Sequence, residues 1–243
     1  ALPICCFTMS QRKRMQIMLK YTFSISFIFI LVLTACGQDS TFVEPADTIK
    51  NKYLPSGLRI GTDVISIIRS QSGDNFDGWE INADIDFYRY YLAIDYGSWA
   101  RSEELSNGTY QNDGTYFRVG ADVNFMLKDP DRNMFFLGVR YGQSKFDEML
   151  TYTFTDPNFG DFQKSVTTGQ ITGRWIELTS GLRVKIWKGF WMGYTARLKF
   201  APKTSDTPGV VPYDIPGYGR ADKSTYWGLN YQIFWRIPFR KLN

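Results

Sequence analysis

Residues 79–87, Trp-Glu-Ile-Asn-Ala-Asp-Ile-Asp-Phe, alternate apolar and polar without a break. Successive side chains of a strand point to opposite faces, so this segment predicts a strand with one greasy face and one acidic face. The same period of two returns in seven more segments, at 58–68, 90–98, 115–127, 134–146, 174–186, 190–200 and 226–239. The polar faces collect the acids Asp63, Glu80, Asp84, Asp86, Asp95, Asp122 and Glu177. They also collect the bases Arg59, Arg118, Arg140, Arg183, Lys185, Arg197, Lys199 and Arg236.

The connections carry a second signal. Those at 88–89, 128–133 and 187–189 are short, whereas those at 69–78, 100–114, 147–173 and 201–225 are long and polar. An even number of strands with alternating short and long connections is the pattern of a transmembrane barrel. The expected fold is therefore all-β: an eight-stranded antiparallel up-and-down transmembrane β-barrel, with short periplasmic turns and long extracellular loops. Arg or Lys on a lipid face costs about 2–4 kcal/mol at the midplane, so the eight bases are expected to point inward. An eight-stranded barrel has an interior that side chains just fill, and the near-balanced charges are expected to pair there as a plug. Trp79, Tyr90, Trp187, Trp227 and Trp235 stand near strand ends on the apolar face, where a membrane interface favours them.

The N-terminal region reads as a targeting segment. Arg12, Lys13, Arg14 and Lys20 precede an apolar run over 21–35, too short to span comfortably but suited to a signal peptide. Residues 1–37 are read as an upstream extension plus signal, 38–56 as a flexible periplasmic linker, 57–239 as the barrel and 240–243 as a tail. Leu33-Thr34-Ala35-Cys36 resembles a lipobox, which makes Cys36 a lipidation candidate. Ala35-Cys36-Gly37 equally suits an ordinary signal peptidase, with Gln38 first in the mature chain. Either cleavage leaves no thiol, because the other cysteines are Cys5 and Cys6.

The chain contains no histidine. Barrels that act on lipids or peptides generally use histidine as a base, so an enzyme is not expected and no catalytic residue is assigned. Without His or Cys ligands, and with no ordered run of acidic loop residues, no metal or cofactor is expected. Charge is dispersed, which argues against nucleic acid. Expected partners are outer-membrane lipid and a protein of the envelope, met through the outer loops. A narrow channel or conduit for small molecules is the alternative. A lipocalin-like carrier, with its apolar face inward and Gly97-Ser98-Trp99 as a displaced G-x-W motif, is a lesser one.

The segments Gly57-Leu58-Arg59-Ile60-Gly61, Leu137-Gly138-Val139-Arg140-Tyr141-Gly142 and Ile215-Pro216-Gly217-Tyr218 carry a resemblance. With the alternating C-terminal series Tyr231, Ile233, Trp235, Ile237 and Phe239, the chain resembles small outer-membrane β-barrel proteins of Bacteroidota. More narrowly, it resembles a domain-of-unknown-function family of that group. The resemblance implies barrel architecture in the outer membrane of a Gram-negative bacterium, and implies no activity.

Overall fold

The computed structural model describes residues 53–73, 75–156, 158, 160–205 and 212–239. Cys36, the signal segment, the linker up to residue 52 and the tail 240–243 lie outside the described residues.

Eight long antiparallel strands close into a barrel. In chain order they are β1 (Gly57–Asp63), β2 (Phe76–Phe87), β3 (Tyr90–Leu105), β4 (Gly108–Asn124), β5 (Met134–Asp156), β6 (Gly160–Trp187), β7 (Phe190–Thr204) and β10 (Thr225–Pro238). Between β7 and β10 lies a small hairpin of β8 (Asp214–Ile215) and β9 (Gly219–Arg220). Each long strand pairs with its neighbours in sequence, and β1 closes the ring on β10 from Gly57↔Pro238 to Asp63↔Gln232. Pro238, which lacks an N–H to donate, thus stands at the margin of the seam.

Burial follows the period of two. Along β2 the residues Phe76, Gly78, Glu80, Asn82, Asp84 and Asp86 are buried, and those between them are not. The outward positions hold the large apolar side chains: Trp79, Ile81, Leu92, Ile94, Val139, Ile176, Leu178, Trp227 and Leu229 are all exposed.

Two expectations about the elements fail. The segment 58–68 is a strand only to Asp63, after which α1 (Val64–Gln71) begins. Four β-branched residues disfavour a helix there. The Asp63 side chain tips the balance, accepting from the Ile65 N–H at 3.3 Å as an N-cap and from the Ser66 hydroxyl at 2.6 Å. The connections 100–114 and 147–173 are not long loops either. β3 and β4 stay paired to Leu105↔Gly108, and β5 and β6 to Asp156↔Gly160, so the barrel wall rises into two tall hairpins. The extensions of β3, β4 and β6 are largely polar on both faces, which erases the alternation that marks a strand in sequence. Along β5, Leu150, Tyr152 and Phe154 do alternate with Thr151, Thr153 and Thr155, a strand signal that the loop reading of 147–173 overlooks.

Candidate functional site

The inward-facing charges form one connected ionic network. Arg59 Nε lies 2.7 Å from Asp84 Oδ1, and Arg183 Nη1 lies 2.6 Å from Asp84 Oδ2. Arg183 reaches Asp122 at 3.7 Å, and Arg140 meets Asp122 at 2.9 Å and also bonds Asp95. Arg197 sits 3.1 Å from Asp95 and 3.0 Å from Glu177, and Arg118 bonds Glu80. Five guanidinium groups thus face five carboxylates, and all ten residues are buried. Equal numbers cancel the net charge, which is what makes such desolvation tolerable. Neutral donors complete the acids: Asn82 Nδ2 gives to Glu80 at 2.7 Å, Tyr116 Oη to Glu80 at 2.7 Å and Trp175 Nε1 to Glu177 at 2.7 Å.

Small residues make room for the arms. A Cβ on Gly120 would lie 2.7 Å from the Arg140 stem, and one on Gly142 would overlap the Trp175 indole.

The remaining predicted charges sit elsewhere. Asp86 and Arg236 form a separate pair at 3.0 Å near the seam, where Asp86 also accepts from the N–H groups of Ser56 and Gly57 at 2.6 and 2.9 Å. Asp63 is buried but pairs with no base among the described residues. Besides capping α1 it accepts from Asn230 Nδ2 at 2.8 Å and from the Tyr231 N–H at 3.0 Å, so four neutral donors satisfy it. Lys185 departs from the inward expectation. It stands at the rim with a side chain 35% exposed, 3.3 Å from Asp131, because its strand is ending and its neighbour is a register shift. Lys199 is buried, yet its ammonium donates to backbone rather than to a carboxylate: to Gly217 O at 2.6 Å and Tyr218 O at 2.9 Å.

Those carbonyls belong to a lid. Ile215-Pro216-Gly217-Tyr218 folds as a tight turn, with the Tyr218 N–H donating to Ile215 O at 2.9 Å and Gly217 at φ +80°. Proline second and glycine third suit a type II turn, which demands positive φ at the third residue. The turn carries Ile215 and Tyr218 into the barrel mouth, where both are fully buried against Tyr116, Phe146, Ile171 and Trp175. The Trp175 and Tyr218 rings meet edge to face with centroids 5.9 Å apart. The turn at 215–218 is therefore an apolar stopper seated above the ionic network. An inside so charged, within an outside so apolar, is the reverse of the apolar interior expected of a lipocalin-like carrier.

A family model described as Domain of unknown function (DUF6048) matches residues 18–242. The chain belongs to that family. No curated protein matches the chain. Among solved structures, the crystal structure of Acinetobacter baumannii CarO is similar at 15% identity, covering 78% of this chain and 100% of that one, with a TM-score of 0.37.

Sequence reasoning missed the inward aromatic side chains. Arg59 lies over the Tyr91 ring at 4.7 Å and the Trp191 ring at 5.4 Å, and Arg183 over Phe136 and Phe234 at 4.7 Å each. Cation–π contacts of this kind soften the desolvation of a buried guanidinium. Parity held the signal: Trp175 shares a face with Glu177, and Tyr116 with Arg118. Beyond the apolar belt, Tyr110 bonds Glu148, and Arg101 Nη1 holds Asp214 at 2.6 Å. Burial pushes the Glu148 and Asp214 carboxyls above their ordinary range, and burial together with Glu148 raises the Tyr110 hydroxyl.

Proposed function

We propose that this chain is a non-enzymatic outer-membrane β-barrel with a charge-filled, closed lumen, serving as a structural or interaction component of the cell envelope. One observation carries the reading: the exposed face of the barrel is an apolar belt, while the buried face is ionic. Water favours the opposite arrangement, and a hydrocarbon surrounding favours this one. The belt has the right height. From Trp227 to Ile237 on β10 is about 34 Å along the strand, or about 26 Å along the axis at a typical tilt, against a lipid-facing band of roughly 25 Å. Trp79, Trp187, Trp227 and Trp235 are exposed on this belt, as interfacial girdle residues are.

The interaction role draws on the tall hairpins. An open cleft of about 510 Å³ beside them is lined by Phe76, Arg101, Gln111, Asn112 and Met149, a mixed surface suited to a protein partner. The ionic network and the seated lid argue against a through-channel, since both occupy the axis. The test is outer-membrane fractionation joined to gel mobility with and without boiling. Recovery in the outer-membrane fraction, with faster migration unboiled, is expected. Release into the soluble fraction by mild extraction overturns the reading.

A further inference from the structure

The barrel wall has a gap. β1 ends at Asp63, opposite Gln232 of β10, and its last partner on β2 is Ile81. Above that level β2 continues to Phe76 and β10 to Thr225, each paired on its far side only, with β3 and β7. No described strand joins these two edges. The opening runs five residues or more, about 17 Å, at the height of Trp79 and Leu229. α1 stands where β1 would have continued and packs against both β2 and β10.

Behind α1 lies a cavity of about 230 Å³. It is lined by the inward residues Tyr226, Gly228 and Asn230 of β10, and also by the outward residues Trp227 and Leu229 of the same strand. From Thr225 to Tyr231 β10 has no described strand partner on the side of α1, so the cavity borders a free strand edge there, and Trp227 and Leu229 carry its lining to the outer face. Its outer lip is apolar, with Trp227 68% and Leu229 61% exposed.

The lining is rich in cations: Arg118 and Lys199 are buried beside Glu80, while Arg69, on the exposed end of α1, lies over the Phe76 ring at 4.1 Å. Both oxygens of Asp63 are satisfied by neutral donors, and Glu80 is held by Arg118, Tyr116 and Asn82. Two buried donors of the lining have no hydrogen-bond acceptor among the described residues: Arg118 Nε, which stands 3.9 Å from Asp95 Oδ2, and Trp99 Nε1. Arg69 shares one face of α1 with Ile65 and Ser66, and that face lines the cavity. Buried unpartnered N–H donors beside the Lys199 ammonium offer a seat for an anionic acceptor.

We propose that this gap is a lateral binding site for a single-chain fatty carboxylate. The carboxylate sits against Arg118 Nε and the Lys199 ammonium, and the alkyl chain leaves past Trp227 and Leu229 into the apolar phase. The proposal rests on the membrane-barrel reading above. Width sets the ligand class. Removing one strand opens about 10 Å between its neighbours, and α1 occupies part of it, so one alkyl chain passes and a two-chain phospholipid does not.

The test is calorimetric titration of the full chain, purified in a neutral maltoside detergent, with sodium decanoate and with decyltrimethylammonium as the cationic control. Saturable binding of decanoate at one site per chain is expected, with none of the cation. Gly228→Leu fills the cavity, and a Cβ there presses on the flexible end of Lys199, at 3.2 Å, and touches Arg197 Cβ at an ordinary 3.8 Å. It is expected to weaken decanoate binding by at least about tenfold. Arg69→Glu, on the exposed helix end, weakens it in the same direction, while Leu137→Ala on another part of the belt leaves it unchanged. Absence of saturable binding, equal binding of the cation, or indifference to both Gly228→Leu and Arg69→Glu overturns the site. Boiled and unboiled gel mobility of each sample separates the causes. A sample that keeps the barrel shift and fails to bind refutes the site alone, whereas loss of the shift in the unsubstituted chain refutes the barrel reading, and the site with it.

Discussion

Arg140→Ala tests whether the lumen is dry. Arg140 is 1% exposed, lies 2.9 Å from Asp122 and bonds Asp95 as well. The substitution removes a guanidinium from between two buried carboxylates and leaves a void where its stem lay beside Gly120. Breaking a buried pair from one side costs about 3–5 kcal/mol, because the stranded charge stays desolvated. Here both acids keep other partners. Asp122 retains Arg183 at 3.7 Å, and Asp95 retains Arg197 at 3.1 Å and Asn82 at 2.8 Å. That places the loss near the lower end, about 3 kcal/mol. For a domain of this size each kcal/mol moves the unfolding temperature by roughly 2–4 °C, so a fall of about 6–12 °C is expected. The assay follows the folded band in unboiled gels across temperature, with Lys203→Ala at an exposed position as the control, expected within about 0.5 kcal/mol of the parent. Single-channel conductance is recorded on the same samples. A hydrated lumen would screen the orphaned carboxylates, so unchanged stability with altered conductance refutes the plugged barrel.

Tyr218→Ala unseats the lid by deleting its fully buried ring, at a local cost of about 3–5 kcal/mol, comparable with other aromatic truncations. Limited proteolysis between residues 205 and 224 is expected to accelerate while barrel unfolding hardly moves, and unchanged cleavage counts against the docked lid. A third prediction concerns pH. Glu148 and Asp214 are held above the ordinary carboxylate range by burial, so folding favours their protonated forms. Their stabilising contribution is full below the unfolded-chain carboxylate range and is lost as pH rises through the raised folded values. Glu148→Gln, which keeps an acceptor for Tyr110 and the Tyr213 N–H, is therefore expected to flatten the pH dependence of stability at the hairpin end. Hydrogen exchange of the hairpin amides measured across that range checks it, and an unchanged profile refutes the assignment to Glu148.

The sequence by itself determined the strands that cross the apolar belt and the face of each strand that is buried. Glu80, Asp84, Asp95, Arg118, Arg140 and Glu177 are legible as inward residues because a period of two admits only two phases, and the apolar phase is already claimed by Ile81, Ile94, Val119, Val139 and Ile176. Where both faces are polar that argument is silent, so most of the tall extensions of β3 to β6 read as loops, although Leu150, Tyr152 and Phe154 alternate with threonines along β5. The partners inside the lumen were decided by closure of the ring. Arg197 meets Asp95 across 102 positions of sequence, and Arg183 meets Asp84 across 99, contacts that no local period encodes. The end of β1 was likewise decided in three dimensions. Val64-Ile65-Ser66-Ile67-Ile68 has a strand composition, and it turns into α1 because Asp63 finds donors both in the helix and on β10. The lid obeyed the same rule. Ile215-Pro216-Gly217-Tyr218 announces a turn, but its inward seat depends on the Trp175 ring and the Lys199 ammonium, supplied by strands that only the closed barrel brings beside it.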